Sequence, residues 1–349
     1  MFMKNLAVVF FIFNSFISLA QRSKYDVMSY YSAINQAEKF ALDSNYTEAL
    51  VVYKKTLDTP ILKLPKDYLI AAQIASINND DTLTTFFLKK SILCGATAEW
   101  IENCPALKKY CATTKWQDIK ISYYDIRNKY LNSVDTSIRK VVEKLYINDQ
   151  IIRDKNEKFL SNRILKLRPR LYKKWQKNCL ISFKTLDSII SIKGFPSYGL
   201  IGVDRDGLPK INKYQINSNI ALVIIYHYDK CYSEYGYKLI DEVFKGNLHP
   251  YHFALIRDME SKVYELGRSK DVKYKNYEYY VRWQVSPINI PQKIENELEL
   301  DKKRVDLGLL PFVYERKKKT AQNKFNYFRY ILNNFELSSK CIDWFYYDM

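Results

Sequence analysis

Glycine is scarce in this chain: nine in 349 residues. Phosphate-cradling loops and the tight turns of doubly wound nucleotide folds need residues without a side chain, so the shortage argues against both. No GxSxG elbow is present, and no cysteine is paired with a histidine in a nucleophile pattern. The six cysteines, at 94, 104, 111, 179, 231 and 341, match no common zinc spacing. The HxxH spacing of His249 and His252 would offer two metal ligands, yet a helix cap and a surface residue account for the same letters. No metal and no cofactor is therefore expected. Beyond the first twenty residues no stretch is apolar enough for the roughly 20-residue span a bilayer requires.

Charge of one sign is what the chain has in excess. Lysine and arginine number 55 against 38 acidic residues, a formal charge of +17 and a pI of about 9.3. Such a protein is drawn to anionic partners. The opening "MFMKNLAVVFFIFNSFISLAQ" has one lysine, an apolar stretch and small residues ahead of Gln21, which reads as a signal peptide over 1–20. The residue after the cut is not cysteine, so no lipid anchor is indicated. Export to the periplasm or medium replaces nucleic acid with anionic envelope components as the expected polyanion. Lys, Asn, Ile and Tyr are also what AT-rich codons favour, and that bias accounts for much of the charge without any partner. An exported address permits disulfides, and Cys104 with Cys111 is the nearest pair.

Apolar residues three and four apart dominate the pattern, which predicts a mainly α protein. "YYSAINQAEKFALDSNYTEALVVYKKTL" (30–57) reads as two helices around "DSNY", with Ala33, Ala37, Phe40 and Ala41 lining one face and Tyr46, Ala49, Leu50, Tyr53 and Leu57 the next. A weaker copy follows Pro60 and Pro65, carrying Tyr68, Ala71, Ala72 and Ala75, then Leu88, Ile92 and a helix-ending Gly95. Thr84 stands there where the first copy has a small alanine. "CPALKKYCATTKWQDI" supplies a closing half repeat anchored by Leu107 and Trp116. The arrangement of Ala37, Phe40, Tyr46, Ala49 and Tyr53 resembles a tetratricopeptide repeat. That resemblance implies helical hairpins over 21–118 and a protein or peptide partner, with 119–134 as linker.

A compact helical domain is expected over 135–320. Ser133 or Asp135 would cap its first helix, through Ile138, Val142, Leu145 and Asp149. A basic run follows, with Arg163, Lys166, Arg168, Arg170, Lys173, Lys174 and Lys177, a candidate patch for an anionic partner or the solvated face of a packed helix. Leu171, Trp175, Cys179, Phe183, Leu186 and Ile190 form the stripe opposite. "KGFPSYGLIGVDRDGLP" is the main break; its Asp204 and Asp206 lack the later ligands of a calcium loop. A helix is predicted to start near Asn217–Asn219 and run without interruption through His227 to Gly246. Residues 321–349 are expected to form a further aromatic helix and a short tail that pack on the domain or on a partner.

"DQIIR" at 149–153, "GFP" at 194–196, Gly202, "IIYHYD" around His227, "ALIRD" ending at Asp258 and "LDKKRVDLGLLPF" at 300–312 fall in an order that resembles a helical bacterial domain family of unknown function, often exported and sometimes carried behind tetratricopeptide repeats. The likeness implies architecture rather than chemistry. Met259 stands where that family tends to have an arginine, and "YKNYEYYVRWQ" replaces its glutamine and tyrosine-glycine pair. Asp149, Arg153, His227 and Asp258 are the candidate polar cluster: a carboxylate-held histidine suits acid-base work and an arginine can clamp an anion. The same residues serve equally as inter-helix organisers. Without a nucleophile motif the scaffold reading stands ahead of an envelope hydrolase or transferase.

Overall fold

The computed structural model describes residues 27–58, 64–160, 169–203, 220–265, 279, 296–326 and 341–344. The fold is mainly α, and among the described residues there is no strand. The leader read at 1–20 and the turn carrying Asp204 and Asp206 lie outside them.

The N-terminal half opens with α1 (27–42) and α2 (Tyr46–Leu57), followed by α3 (Pro65–Ile77) and α4 (Asp81–Leu93). Both hairpins turn in the same way. Ser44 and Asn79 each take a left-handed φ, and the next amide reaches back five residues, Asn45 to the Phe40 carbonyl and Asp80 to that of Ala75. This Schellman closure satisfies the last carbonyls of one helix and reverses the chain into the next. Asp80 then caps α4 by accepting from the Leu83 amide at 2.9 Å. Ala37, Ala49, Ala71, Ala72 and Ala75 are fully buried, so helix axes approach closely and Tyr53, Phe87 and Leu88 fill the space beside them. Thr84 is buried too, its hydroxyl consumed by the Asp80 carbonyl at 2.7 Å, which is how a threonine substitutes for the smaller residue.

After α4 come α5 (Ala98–Glu102), a single 3-10 turn at Pro105–Leu107, α6 (Lys108–Cys111), α7 (Thr114–Ile121) and α8 (Tyr123–Leu131). The stretch 119–134, expected to be a linker, is largely helical and packs back on α4. Two residues hold it there. Arg127 donates to the Gly95 carbonyl at 2.7 Å with its guanidinium over the Tyr130 ring, and the Tyr130 hydroxyl accepts from the Val203 amide at 2.8 Å. Gly95 sits at φ +112, and a Cβ there would lie 2.5 Å from a Val203 methyl, so this junction requires glycine.

The second half contains α9 (Thr136–Leu160), α10 (Pro169–Lys193), α11 (Tyr198–Ile201), α12 (Ile220–Tyr226), α13 (Cys231–Phe244), α14 (Pro250–Glu265), α15 (Glu297–Asp306) and α16 (Phe312–Asn326). Asp135 caps α9, accepting from the Ser137 and Ile138 amides. α12 is apolar on every side and is packed by α9, α10 and α14, the arrangement that an all-round hydrophobic helix demands. The uninterrupted helix expected through His227 is in fact two, α12 and α13, joined by a turn at 227–230. Gln176 of α10 spans that turn, donating to the His227 carbonyl at 3.0 Å and accepting from the Asp229 amide at 3.2 Å. It satisfies groups that the interrupted helix cannot.

α16 crosses the expected domain boundary at 320 without a break. At the C-terminal end, Asp343 exchanges backbone bonds with the Gln73 amide group, at 2.8 and 3.0 Å, and Trp344 donates its amide to Gln322 at 2.7 Å. Ile342 and Trp344 thereby join the N-terminal core, so the tail packs on both halves.

Candidate functional sites

Asp149 projects from α9 toward the end of α12, where its Oδ2 lies 2.7 Å from His227 Nδ1. Gln150 donates to the same oxygen at 2.9 Å. Asp149 is nearly closed to solvent and His227 keeps 13% of its side chain accessible, flanked by the Trp175 and Tyr226 rings. Two of the sequence-selected residues therefore meet. Asp258 does not join them: it is fully buried on α14 and accepts from the Tyr279 amide at 3.2 Å. The Tyr279 carbonyl in turn takes a hydrogen bond from Arg304 at 2.6 Å. Arg304 also donates to the Leu310 carbonyl at 2.8 Å and to Glu315 at 3.0 Å, with its plane over Phe312. The "ALIRD" and "RVDLGL" landmarks thus meet in one buried polar network, and "GFP" belongs to another, since the Phe195 amide donates to Glu242 at 2.8 Å. The Arg153 side chain lies outside the described residues.

Of the basic run, Lys173, Lys174 and Lys177 are exposed on α10, whereas Arg163, Lys166, Arg168 and the Arg170 side chain lie outside the described residues. No disulfide joins Cys104 and Cys111, the pair that lies nearest in sequence. Cys104 is turned into the N-terminal core ahead of the 3-10 turn, while Cys111 ends α6 at the margin of that core. Burial pushes the Cys111 thiol up to about 12 and raises Cys179, Cys231 and Cys341 as well, which makes them poor nucleophiles at neutral pH.

His249 and His252 share no metal geometry, and among the described residues no three His, Cys, Asp or Glu side chains converge as ligands. The His249 ring caps α14, its Nδ1 accepting from the Tyr251 amide at 3.1 Å. His252, expected at the surface, is buried, because α14 packs on both α12 and α13 and turns this position inward. Its Nε2 has no hydrogen-bond partner among the described residues. Burial, followed by the charge of Lys66, depresses its pKa to about 3, so the ring is neutral.

A second site was not singled out in the sequence. A small cleft opens between the two halves, walled by α1, the start of α3, the entry to α14 and the 308–318 stretch. Lys318 bridges both carboxylate oxygens of Glu38 at 2.8 and 2.9 Å, with both side chains buried. Asp67 accepts from the Tyr30 hydroxyl at 2.6 Å; burial lifts its pKa to about 6 against the pull of neighbouring Lys66. Lys66 itself is depressed to about 8, first by burial and then by Lys318. Its sequence signal was weak, a "KD" pair behind a proline that reads as an ordinary helix start. Nothing local tells that 249, 315 and 318 arrive opposite it.

No family model, curated protein or solved structure matches the chain.

Proposed function

We propose that this is an exported helical interaction protein, in which the tetratricopeptide-like N-terminal half carries the partner-binding face and the second helical module, akin to the domain family of unknown function, holds it in place. The observation that carries the reading is a pair of apolar side chains facing solvent at the α7–α8 junction, Ile121 at 82% and Tyr124 at 74% exposure. Clustered exposed apolar residues mark protein contact sites more often than isolated ones do. Val51 on α2 and Leu131 on α8 add to the exposed apolar surface of the same half.

The test is site-directed photo-crosslinking in the native host, with a photoreactive residue placed in turn at 121, 124 and, as an exposed control on the second module, 184. Discrete heavy adducts at 121 and 124 but not at 184 are expected. Absence of adducts at all three, or equal labelling at 184, overturns the reading. Fractionation of the same cells checks export, since retention in the cytoplasm contradicts it.

A second reading, an envelope hydrolase or transferase, is favoured by one feature: the 2.7 Å contact between Asp149 and the partly accessible His227 is the geometry of a carboxylate-oriented general base. The separation of Asp258 into the Arg304 network and the raised thiol pKa values leave that base without a described nucleophile.

A further inference from the structure

α9 and α10 lie side by side and antiparallel on α12. At one end Asp149 of α9 and Gln176 of α10 both reach His227; at the other the Asp135 amide, just before α9, donates to the Leu200 carbonyl, soon after α10, at 2.8 Å. The inward stripes, Val142 and Tyr146 on α9 and Phe183, Leu186 and Ile190 on α10, share one core with α12, so the outward stripes form a single face. On α9 that face presents Lys140, Val141, Lys144, Ile147 and Ile151. On α10, at steps of three and four, it presents Lys173, Lys177, Ile181, Lys184 and Ile192, with Ile181 55% and Ile192 78% exposed. The other exposed positions on the two helices are lysine, serine, threonine or asparagine. Each acid whose side chain is described on these helices sits beneath the face or at its flank and already has a partner: Glu143 has Arg139 at 2.8 Å, Asp149 has His227, and Asp187 has Lys238 at 2.9 Å. The described part of the face is therefore cationic and aliphatic, without a carboxylate.

We propose that this face docks on an anionic lipid surface, its lysines reaching head-group phosphates and its isoleucines entering the interface between them. A helix that lies in the interface buries its aliphatic side chains at the head-group boundary, while lysine stems bend their ammonium groups back to the water side. Among the described residues no helix is apolar enough to cross a membrane, so the contact is made from one side. Nucleic acid or a soluble polyanion would use the lysines and leave the isoleucines in water. The face also carries no described aromatic side chain on which bases could stack, and no described arginine to clamp a phosphate with two donors. A protein partner fits less well, because protein interfaces gather their apolar residues in a centre depleted of lysine and surround it with a polar rim. Here Lys144 and Lys184 stand within a turn of Ile147 and Ile181, so charge and aliphatic surface are interleaved along both helices. This inference does not rest on the partner face at α7–α8, and a lipid adduct at 184 would be too light to be read there as a protein.

The probe is a phosphatidylcholine vesicle with about 30% phosphatidylglycerol, against pure phosphatidylcholine, and the protein is the chain from Gln21 onward, so that the apolar leader takes no part. Cosedimentation should show binding to the anionic vesicles at least about thirtyfold tighter than to the neutral ones, and weakened by salt. Lysine near an anionic surface contributes about fivefold per residue, so Lys144→Gln, Lys177→Gln and Lys184→Gln combined should weaken binding about a hundredfold. The same loss of charge from the exposed Lys54, Lys55 and Lys89 of the repeats, each changed to Gln, should alter it less than about threefold. Ile147→Ser with Ile181→Ser should weaken it about tenfold and leave retention on a sulfated matrix unchanged. Equal binding to both vesicles overturns the proposal, as does an equal loss from the repeat lysines, which would mean bulk charge. Lipid binding indifferent to the isoleucine pair overturns it too, in favour of a soluble polyanion. All these positions are exposed, and thermal midpoints check that the variants fold; if one does not, the two-vesicle comparison on the unaltered chain decides alone.

Discussion

Lys318 and Glu38 are 280 residues apart in the chain and form a two-pronged ion pair with almost no solvent access, joining α16 to α1. Removing one member leaves a charge buried without its partner, so Glu38→Gln or Lys318→Met should destabilise the protein by about 3–5 kcal/mol. Replacing both with apolar residues should recover much of the loss, because the unpaired charge then disappears. Urea denaturation of the two single variants and the double variant gives the comparison. Additive losses would mean that the pair is not coupled and that the halves are held by apolar packing alone.

The Asp149–His227 contact makes a different prediction. His227→Ala leaves Asp149 with the Gln150 amide in a nearly closed environment, so the thermal midpoint should fall, by about 1–3 kcal/mol in stability. A double-mutant cycle with Asp149→Asn should return a coupling of at least about 0.5 kcal/mol, as expected of residues in direct contact. An unchanged midpoint would show that the histidine is not kept for packing and would move the general-base reading ahead.

Acid should weaken the fold through its buried histidines. His252 ionises near 6.5 when unfolded and near 3 when folded, so between those values the unfolded chain binds more protons and stability falls as pH drops. His249, depressed by burial and then by His252, Lys66 and Lys318, acts in the same direction. Asp67 opposes them: raised from 3.8 to about 6, it takes up a proton in the folded state first and adds stability as pH falls through that window. Glu260, also raised by burial, acts with Asp67, whereas Asp135, Glu242 and Glu297 are lowered and act with the two histidines, so the midpoint should decline below pH 6.5. His252→Phe should flatten that decline, and thermal scans across the range check it. A variant that declines as steeply as the parent would place the acid sensitivity elsewhere.

Helices with both faces written into a short window were legible from the letters. Ala37, Ala49, Ala71 and Ala75 are small at helical spacing, and they are the residues on which the hairpins close. Gly95 as a helix end, Asp135 as one of two candidate caps, and Asp149 and His227 as two of the four residues selected for a polar cluster were legible for the same reason, since each has a chemical type that is rare or costly in its setting. The break at 227–230 was not legible, because the stripe of Ile220, Val223, Ile224 and His227 continues in helical register. It is Gln176, on another helix, that makes interruption affordable to the backbone. α8 was missed because its few anchors, Arg127 and Tyr130, bury polar groups against Gly95 and Val203 rather than presenting an apolar stripe.

The sequence by itself determined the helical class, the repeated Schellman turns and the positions of most buried faces, because these depend on residues within one or two turns of each other. Tertiary structure alone decided which polar groups meet. Asp258 went to Tyr279 and the Arg304 network rather than to His227, and Lys66 came to face Glu38, Glu315 and Lys318 across a cleft. Such meetings depend on how distant helices pack, and a buried charge takes whichever partner that packing brings within reach.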